Sequence, residues 1–143
     1  MLSKSCEYGI RAILYLSMNS SRENKIGIKL IAEELSIPAA FLNKVLQRLV
    51  KKNLLYSAKG KTGGFFTDES IRKYTLFDIV KAIDGVKAFD CCSLGLRVCS
   101  SKNPCVLHEN FQRNRINLLK KLKGTIIGAS ANSVQLGLLR IKG

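Results

Sequence analysis

The sequence is short of the side-chain combinations that small enzymes use. It has one histidine and no nucleophile elbow of the form Gly-x-Ser-x-Gly. Gly60-Lys61-Thr62 resembles the end of a phosphate-binding loop, but the position five residues before Gly60 is leucine, so the full motif fails. We therefore predict that the protein is not an enzyme.

Two further absences bear on where the protein works. No apolar run approaches the roughly 18 residues of a membrane span, and the opening Met-Leu-Ser-Lys-Ser-Cys-Glu lacks the apolar core of a signal peptide. We expect a cytoplasmic protein with no membrane partner. Its cysteines number five, and in a reducing compartment an odd set favours metal binding or thiol redox chemistry over a disulfide framework.

Acidic residues are scarce. The chain has 10 Asp and Glu against 24 Lys and Arg, a net charge of +14. Residues 44–61 carry no acid and hold the basic residues Lys44, Arg48, Lys51, Lys52, Lys59 and Lys61. A polyanion is the natural partner of such a surface, and the alternative is a solvated basic face.

The first half of the chain has the pattern of a winged helix-turn-helix. Apolar spacing and turn residues predict helices over residues 5–19, 28–35 and Pro38 to about Lys52, and strands over Leu54–Ala58 and Phe65–Thr67. Two helices joined by a three-residue turn, followed at once by a hairpin, are typical of this DNA-binding unit. The alternative is an ordinary helical pair in a small core.

The predicted third helix and hairpin supply the candidate DNA contacts. Lys44, Arg48, Lys51 and Lys52 suit phosphates, whereas the small or amide side chains of Ala39, Ala40, Asn43 and Gln47 are placed to approach bases. Phe41 either touches a thymine methyl group or packs inside. Lys59 and Lys61 lie at the tip of the hairpin, where a lysine suits a narrow minor groove.

Three cysteines and the single histidine fall within one short stretch, with the spacing Cys92-x6-Cys99-x5-Cys105-x2-His108. Asn103 is a favoured N-cap and Pro104 a favoured first helical residue, so we expect a helix from Pro104 to about Lys123. Cys105 and His108 would then share one face of its first turn. Such a ligand set predicts a metal site.

The chemistry of that site has three candidates. Thiolates are the usual ligands of iron–sulfur clusters, and the same Cys3His set also suits structural zinc. The third possibility is a group of redox-switched thiols without metal. Cys91 is an alternative first ligand or a bystander, and Cys6 is expected to be a buried apolar residue. A small iron–sulfur electron-transfer protein is the functional alternative from another class.

The second half of the chain is expected to build an appendage to the DNA-binding region. Thr75 and Asp78 form a weak capping box before a helix ending at Asp84-Gly85. In the last long helix, Leu118, Leu119 and Leu122 mark an apolar side, with Ile116 beside it, and Arg113 and Arg115 are among the residues expected to face out. A long helix with little core to cover suggests packing against its copy in a homodimer. We therefore divide the chain into a DNA-binding region, 1–75, and a region of linker helix, cluster-binding loop and dimerisation helix, 76–143.

These stretches together resemble the Rrf-two family of bacterial winged-helix transcription factors. The matching segments are residues 2–12, 30–37, 41–49, 59–65 and the cysteine–histidine stretch, and the likeness covers roughly residues 1–125. The resemblance implies a mainly α fold with a small hairpin wing and a long C-terminal dimerisation helix. It also implies a homodimer on a near-palindromic DNA duplex, a recognition helix in the major groove and the wing tip in the minor groove.

The same resemblance implies the cofactor. In the members that regulate iron–sulfur assembly, three cysteines and a histidine three residues after the last of them hold a 2Fe–2S cluster, and His108 occupies that place. In the nitric-oxide-sensing type, an acidic residue from the partner's first helix can ligate a 4Fe–4S cluster, and Glu7 lies near that position. The histidine favours the 2Fe–2S form here. The implied function is a DNA-binding regulator, expected to act as a repressor, which senses iron–sulfur, redox or nitric-oxide status.

Overall fold

The computed structural model of the chain describes residues 2–92 and 94–142. The described residues form a mainly α fold with one two-stranded sheet. The elements in chain order are α1 (Lys4–Asn19), α2 (Ile28–Leu35), α3 (Ala39–Lys51), β1 (Tyr56–Ala58), β2 (Gly64–Phe66), α4 (Glu69–Arg72), α5 (Leu76–Ile83), a 3-10 turn (Val86–Phe89), α6 (His108–Gly124) and α7 (Ile127–Gln135).

The α2–turn–α3 unit has the predicted helix-turn-helix form. The chain leaves α2 through Ser36, which adopts the left-handed conformation with φ 54°. The Ile37 N–H donates to the Ala32 carbonyl at 2.9 Å, which satisfies one of the last carbonyls of α2. Pro38 then precedes α3, whose inward residues are Leu42, Val45, Leu46 and Leu49. The helical spacing predicts a buried stripe of these four residues and Val50. The four are buried and Val50 is half-buried, and the polar face of α3 is turned outward.

The predicted hairpin is present, with its first strand shortened to Tyr56–Ala58 and its second shifted by one residue to Gly64–Phe66. β1 and β2 are antiparallel, with Tyr56 opposite Phe66 and Ala58 opposite Gly64. Ile26 forms a separate antiparallel bridge to β2, because its N–H and carbonyl bond the backbone of Phe65 at 2.9 and 2.8 Å. Gly64 permits this approach: it has φ 146°, and a Cβ there would lie 2.6 Å from the Ile26 backbone. These backbone hydrogen bonds therefore hold the hairpin against the segment between α1 and α2.

The weak capping box at Thr75 is confirmed. The Thr75 N–H donates to the Asp78 carboxylate at 2.8 Å, and the Asp78 N–H donates to Thr75 Oγ1 at 3.4 Å. α5 then packs against α1 on one side and α6 on the other. Its fully buried residues Ile79 and Val80 face two different apolar cores.

A smaller core lies between α1, α5 and α6. Its buried members are Cys6 of α1, Val80 of α5, Phe89 of the 3-10 turn and Leu122 of α6. The prediction that Cys6 is a buried apolar residue is confirmed, since its side chain is 0% exposed. Leu118 and Leu119 pack against this core, whereas Ile116 of α6 remains 58% exposed.

The structure adds two helices to those the sequence predicted, α4 and α7. In α7, Ile127 and Ala131 are fully buried against the main core, and the helix packs on α1 and α4. Gly128 allows this contact, because a Cβ there would lie 3.0 Å from the Arg72 carbonyl oxygen. Residues beyond Gly124 thus contribute to the same core as the helix-turn-helix.

Across residues 2–92 and 94–142, no helix combines the length and apolar character needed to cross a membrane.

The burial of Ile127 gives a test of how α7 is held. Ile127→Ala should lower the free energy of unfolding by about 2–5 kcal/mol, because it opens a cavity in a closely packed core. Leu136→Ala is the matched control, since Leu136 is 75% exposed just after α7, and it should change stability by less than about 0.5 kcal/mol. Urea unfolding measures both. Equal, small effects would mean that α7 does not dock on α1.

Candidate metal centre and nucleic-acid interface

The three cysteines of the predicted ligand set meet in the loop between the 3-10 turn and α6. The Sγ atoms of Cys92, Cys99 and Cys105 all lie within 4.8 Å of one another. Cys92 and Cys105 are the closer pair, with 3.7 Å between their sulfur atoms. All five cysteines of the chain are free thiols in the structure, and these three are half-buried.

His108 adjoins this group through Cys99. Its Nδ1 lies 3.1 Å from Cys99 Sγ, and its Nε2 is buried with no hydrogen-bond partner among the described residues. Burying a polar nitrogen without a hydrogen-bond partner costs about 1–3 kcal/mol of folding free energy. A further contact to Nε2 would offset this cost. The four side chains thus form one group of three thiols, which His108 adjoins at Cys99.

The predicted helix start at Pro104 is wrong, because α6 begins at His108. The Asn103 side chain donates to the Val98 carbonyl at 3.1 Å and so does not cap a helix. Asn103 also exchanges two backbone hydrogen bonds with Ser100. Cys105 consequently lies in the turn before α6, and its carbonyl accepts from the His108 N–H at 3.0 Å. The turn, rather than a shared helix face, brings the two ligands close.

The loop backbone stabilises one of the thiols as a thiolate. The N–H groups of Leu94 and Leu96, aimed at the sulfur, lower the pKa of Cys92 to about 7. At Cys99, the Cys105 N–H lowers the pKa, but desolvation and the neighbouring thiols of Cys92 and Cys105 outweigh it and leave the pKa raised. Charge at the site therefore concentrates first on Cys92.

The alternative ligands lie apart from the three-thiol group. Cys91 is exposed and donates its Sγ–H to the Lys87 carbonyl at 3.3 Å. Glu7 pairs with Lys4 at 2.8 Å on α1. Burial, followed by the charges of Asp84 and Glu7, raises the pKa of Cys6 to about 12, so this thiol stays protonated at neutral pH.

The donor set fits a metal group. Two thiolates on one tetrahedral ion with metal–sulfur bonds of ~2.3 Å stand ~3.8 Å apart, close to the 3.7 Å between Cys92 and Cys105. N–H groups directed at sulfur are a feature of iron–sulfur sites. The partnerless nitrogen of His108 is a fourth donor at the edge of the group. Both an iron–sulfur cluster and zinc accept these ligands.

The second candidate surface is the outward face of α3 with the wing tip. Ala40, Phe41, Asn43, Lys44, Gln47, Arg48, Lys51, Lys59 and Lys61 are exposed, and Ala39 is half-buried against the core. Phe41 is partly packed and partly exposed. Its ring and the Tyr8 ring form a T-shaped pair with centroids 5.6 Å apart, and its side chain remains 41% exposed. Within the described part of the chain, none of these basic residues forms a salt bridge.

Reasoning from the sequence missed the groups that contact the thiol loop. Arg115 of α6 was expected to face out, yet its Nη1 donates to the Cys91 carbonyl at 2.8 Å. The N–H donors to Cys92 belong to residues with apolar side chains, so no side-chain pattern marks them. Arg115 lies one helical turn from Phe111 and Leu119, and that proximity to the apolar side is the single signal available.

The fold and the exposed basic face define the class of the protein as a winged helix-turn-helix DNA-binding protein. The family model of Rrf2, described as an iron-dependent transcriptional regulator, matches residues 2–129. The chain therefore belongs to the Rrf2 family of transcriptional regulators, as the resemblance predicted.

Individual relatives agree with this placement. A putative helix-turn-helix transcriptional regulator of Aquifex aeolicus (strain VF5) is 31% identical over 129 residues, which cover 89% of this chain and 88% of the relative. The structure of CymR, the global cysteine regulator of B. subtilis, matches with TM-score 0.71 at 20% identity over 92% of this chain and 96% of that chain. T. potens IscR matches with TM-score 0.72 at 18% identity, over 98% and 92% of the two chains. At these identities the two structures share the fold.

The Cys92 environment predicts a pH dependence of thiol reactivity. In metal-free, reduced protein, alkylation of Cys92 by iodoacetamide should rise through about pH 7, because the lowered pKa makes the thiolate available above that value. Peptide mass spectrometry resolves each cysteine, and buried Cys6 should stay unlabelled throughout. A Cys92 rate that climbs only near pH 9 would contradict the backbone stabilisation.

Proposed function

We propose that this Rrf2-family regulator binds a near-palindromic DNA operator as a homodimer, and that a 2Fe–2S cluster on Cys92, Cys99, Cys105 and His108 controls its affinity. The observation that carries the proposal is the convergence of three thiols within 4.8 Å with His108 beside Cys99. The proposal places the protein in the cytoplasm, where thiols stay reduced. The family description as iron-dependent supports iron as the metal.

The resemblance to the family is what favours a two-iron group. The three thiols lie within 4.8 Å of one another, and His108 adjoins them through Cys99. A histidine three residues after the last cysteine is the ligand that the resemblance implies for a 2Fe–2S cluster. When bound, the cluster supplies one-electron redox chemistry and reactivity toward oxidants and nitric oxide. The half-buried loop leaves the site reachable by small reactants.

Structural zinc is the second candidate for the site. The separation of 3.7 Å between Cys92 and Cys105 suits a shared zinc ion as well as a shared iron. Redox-switched thiols without metal remain the third reading of the same contacts. Glu7 from a partner subunit stays a prediction, since within one chain it pairs with Lys4.

On DNA, α3 acts as the recognition helix. Lys44, Arg48 and Lys51 neutralise phosphates and set the register, because they are exposed and unpaired by acids within the described residues. Ala39, Ala40, Asn43 and Gln47 approach base edges, with the amides suited to adenine. Phe41 offers its exposed edge to a thymine methyl group, and Lys59 and Lys61 bring the wing into the minor groove.

The dimer is formed through α6. One side of this helix packs on the small core, whereas Ile116 is left 58% exposed beside it. The loop adds the exposed apolar side chains of Leu94, Leu96 and Val98. Burial of these residues against a second copy removes apolar surface from water, and two-fold symmetry would then impose a near-palindromic operator.

The thiol loop reaches the DNA-reading helices through contacts in the structure. Arg115 ties the backbone at Cys91 to α6, and Phe89 at the start of the loop packs with Cys6 of α1 and Leu122 of α6. α1 in turn packs on α3. A change in loop order on loss of the cluster would thus alter how α1 and α3 are supported, which is the proposed switch.

The ligand set is tested by single substitutions in anaerobically purified protein. Cys92→Ser, Cys99→Ser and Cys105→Ser should each lose most of the iron, the acid-labile sulfide and the visible absorption, because thiolates anchor the cluster. Cys91→Ser is the matched control and should keep all three signals. His108→Ala should weaken retention, and wild-type protein should lose its cluster more readily at mildly acidic pH, as imidazole protonates near its reference pKa of ~6.5.

Two results would overturn parts of this reading. Colourless wild-type protein with bound zinc and no sulfide would replace the cluster with zinc. Equal affinity of cluster-loaded and cluster-free protein for the same DNA duplex would remove the switch while leaving the cluster in place.

The wing is tested by Lys59→Glu. The variant should bind duplex DNA more weakly, and the slope of log affinity against log salt should fall by about 1 for the lost phosphate contact. Lys73→Glu is the control, because Lys73 is an exposed lysine that follows α4 and lies outside α3, the hairpin and α6. Fluorescence anisotropy at several salt concentrations measures both. Unchanged affinity for Lys59→Glu would mean that the hairpin does not contact DNA.

A further inference from the structure

The chain after α7 folds back toward the helix-turn-helix. We call residues 136–142 the C-terminal strap. Ile141 of the strap packs against the main core, and the adjacent Lys142 forms an ion pair with Glu34 of α2. The strap lies beyond residue 129, where the family match ends.

Arg11 of α1 joins the strap to α2. Its Nε donates to the Ile141 carbonyl and its Nη2 donates to the Leu35 carbonyl, both at 2.5 Å. No carboxylate pairs with this half-buried guanidinium among the described residues. Its planar fork can reach two acceptors at once, which a lysine ammonium cannot do with the same geometry. One side chain thus fixes two backbone segments relative to α1.

The place where Arg11 contacts α2 matters for DNA reading. Leu35 is the last residue of α2, and Ser36 follows it into the turn before α3. A cation at the C-terminal end of a helix also meets the negative end of the helix dipole. Arg11 therefore holds the corner between the two helices of the DNA-binding unit.

The strap is attached at few points. A cavity of about 710 Å³ lies beside it, lined by residues that include Tyr15 and Met18 of α1 and Leu139 and Ile141 of the strap. The Lys142–Glu34 pair lies at the surface, with 57% and 38% of the two side chains exposed, so it adds little. Segments with few buried contacts open at low free energy, and the anchoring of Ile141 and Arg11 decides whether the strap stays closed.

We infer that the C-terminal strap, through Arg11 as a positioning residue, holds α2 and α3 in their DNA-reading orientation, so that release of the strap lowers DNA affinity. The inference rests on the DNA binding of the proposed function and is independent of the metal centre. It makes the strap a second point, separate from the thiol loop, at which DNA binding can be adjusted.

The test uses the full chain with Ile141→Asp, which would place a charge in the apolar contact and release the strap. Hydrogen exchange with mass spectrometry should show the amides of α2 and the start of α3 exchanging about three- to tenfold faster, as expected for the loss of a hydrogen-bonded anchor. Affinity for a duplex that wild-type protein selects from a randomised 30-base-pair pool should fall by a similar factor. Leu138→Asp is the matched control, since Leu138 is 74% exposed in the same strap, and it should behave as wild type.

A second variant guards against a general loss of folding. Arg11→Lys keeps the charge but cannot span both carbonyls, so it should give the same local change in α2 while α5 and α6 exchange at the wild-type rate. Unchanged exchange in α2, a uniform increase in all helices, or a normal affinity despite faster exchange would each overturn the inference. Iron content, measured on the same samples, should not change. Wild-type protein that selects no duplex would instead contradict the proposed function.

Discussion

Four side chains from four segments join α6 and the start of the thiol loop to α1 and α5. Cys6, Val80, Phe89 and Leu122 come from α1, α5, the 3-10 turn and α6, and they meet in one small apolar core. Close-packed interiors respond to shifts of an ångström or less, because side chains have little free volume. The thiol loop starts after Phe89, so its first end is set by this core. Its other end leads into α6, which carries Leu122 of the core near its far end. A structural change in the thiol loop would therefore reach α1 through the contact of Phe89 with Cys6.

The thiol site depends on backbone groups as much as on cysteines. N–H donors from Leu94 and Leu96 favour the thiolate form of Cys92, and the turn at Cys105 delivers His108 to Cys99. These contacts bring the thiols and His108 together, which would lower the ordering cost of the proposed metal binding. The position of Arg115 on Cys91 adds a fixed point at the other end of the loop.

The sequence predicted the elements whose signals are local and periodic. α1, α2, α3, the hairpin and the Thr75 capping box follow from apolar spacing, turn residues and caps within a few positions. The helix start at Pro104 failed because the Asn103 side chain has another partner five residues earlier, at Val98. α7 was not predicted from the sequence, because it is built largely from small residues and its burial depends on α1, more than 100 positions away. The cysteine spacing predicted that the three thiols and His108 would lie close together, but the contact of His108 with Cys99 depends on loop geometry that spacing does not encode.

The backbone bridge between Ile26 and Phe65 bears on the orientation of the hairpin. It anchors the base of the hairpin to the connection that leads into α2, at a point where Gly64 admits close contact. Changes in the length of residues 20–25 would therefore tilt the hairpin relative to α3 without altering a single residue on either. The angle between the hairpin and α3 is in this way set by a segment that belongs to neither element.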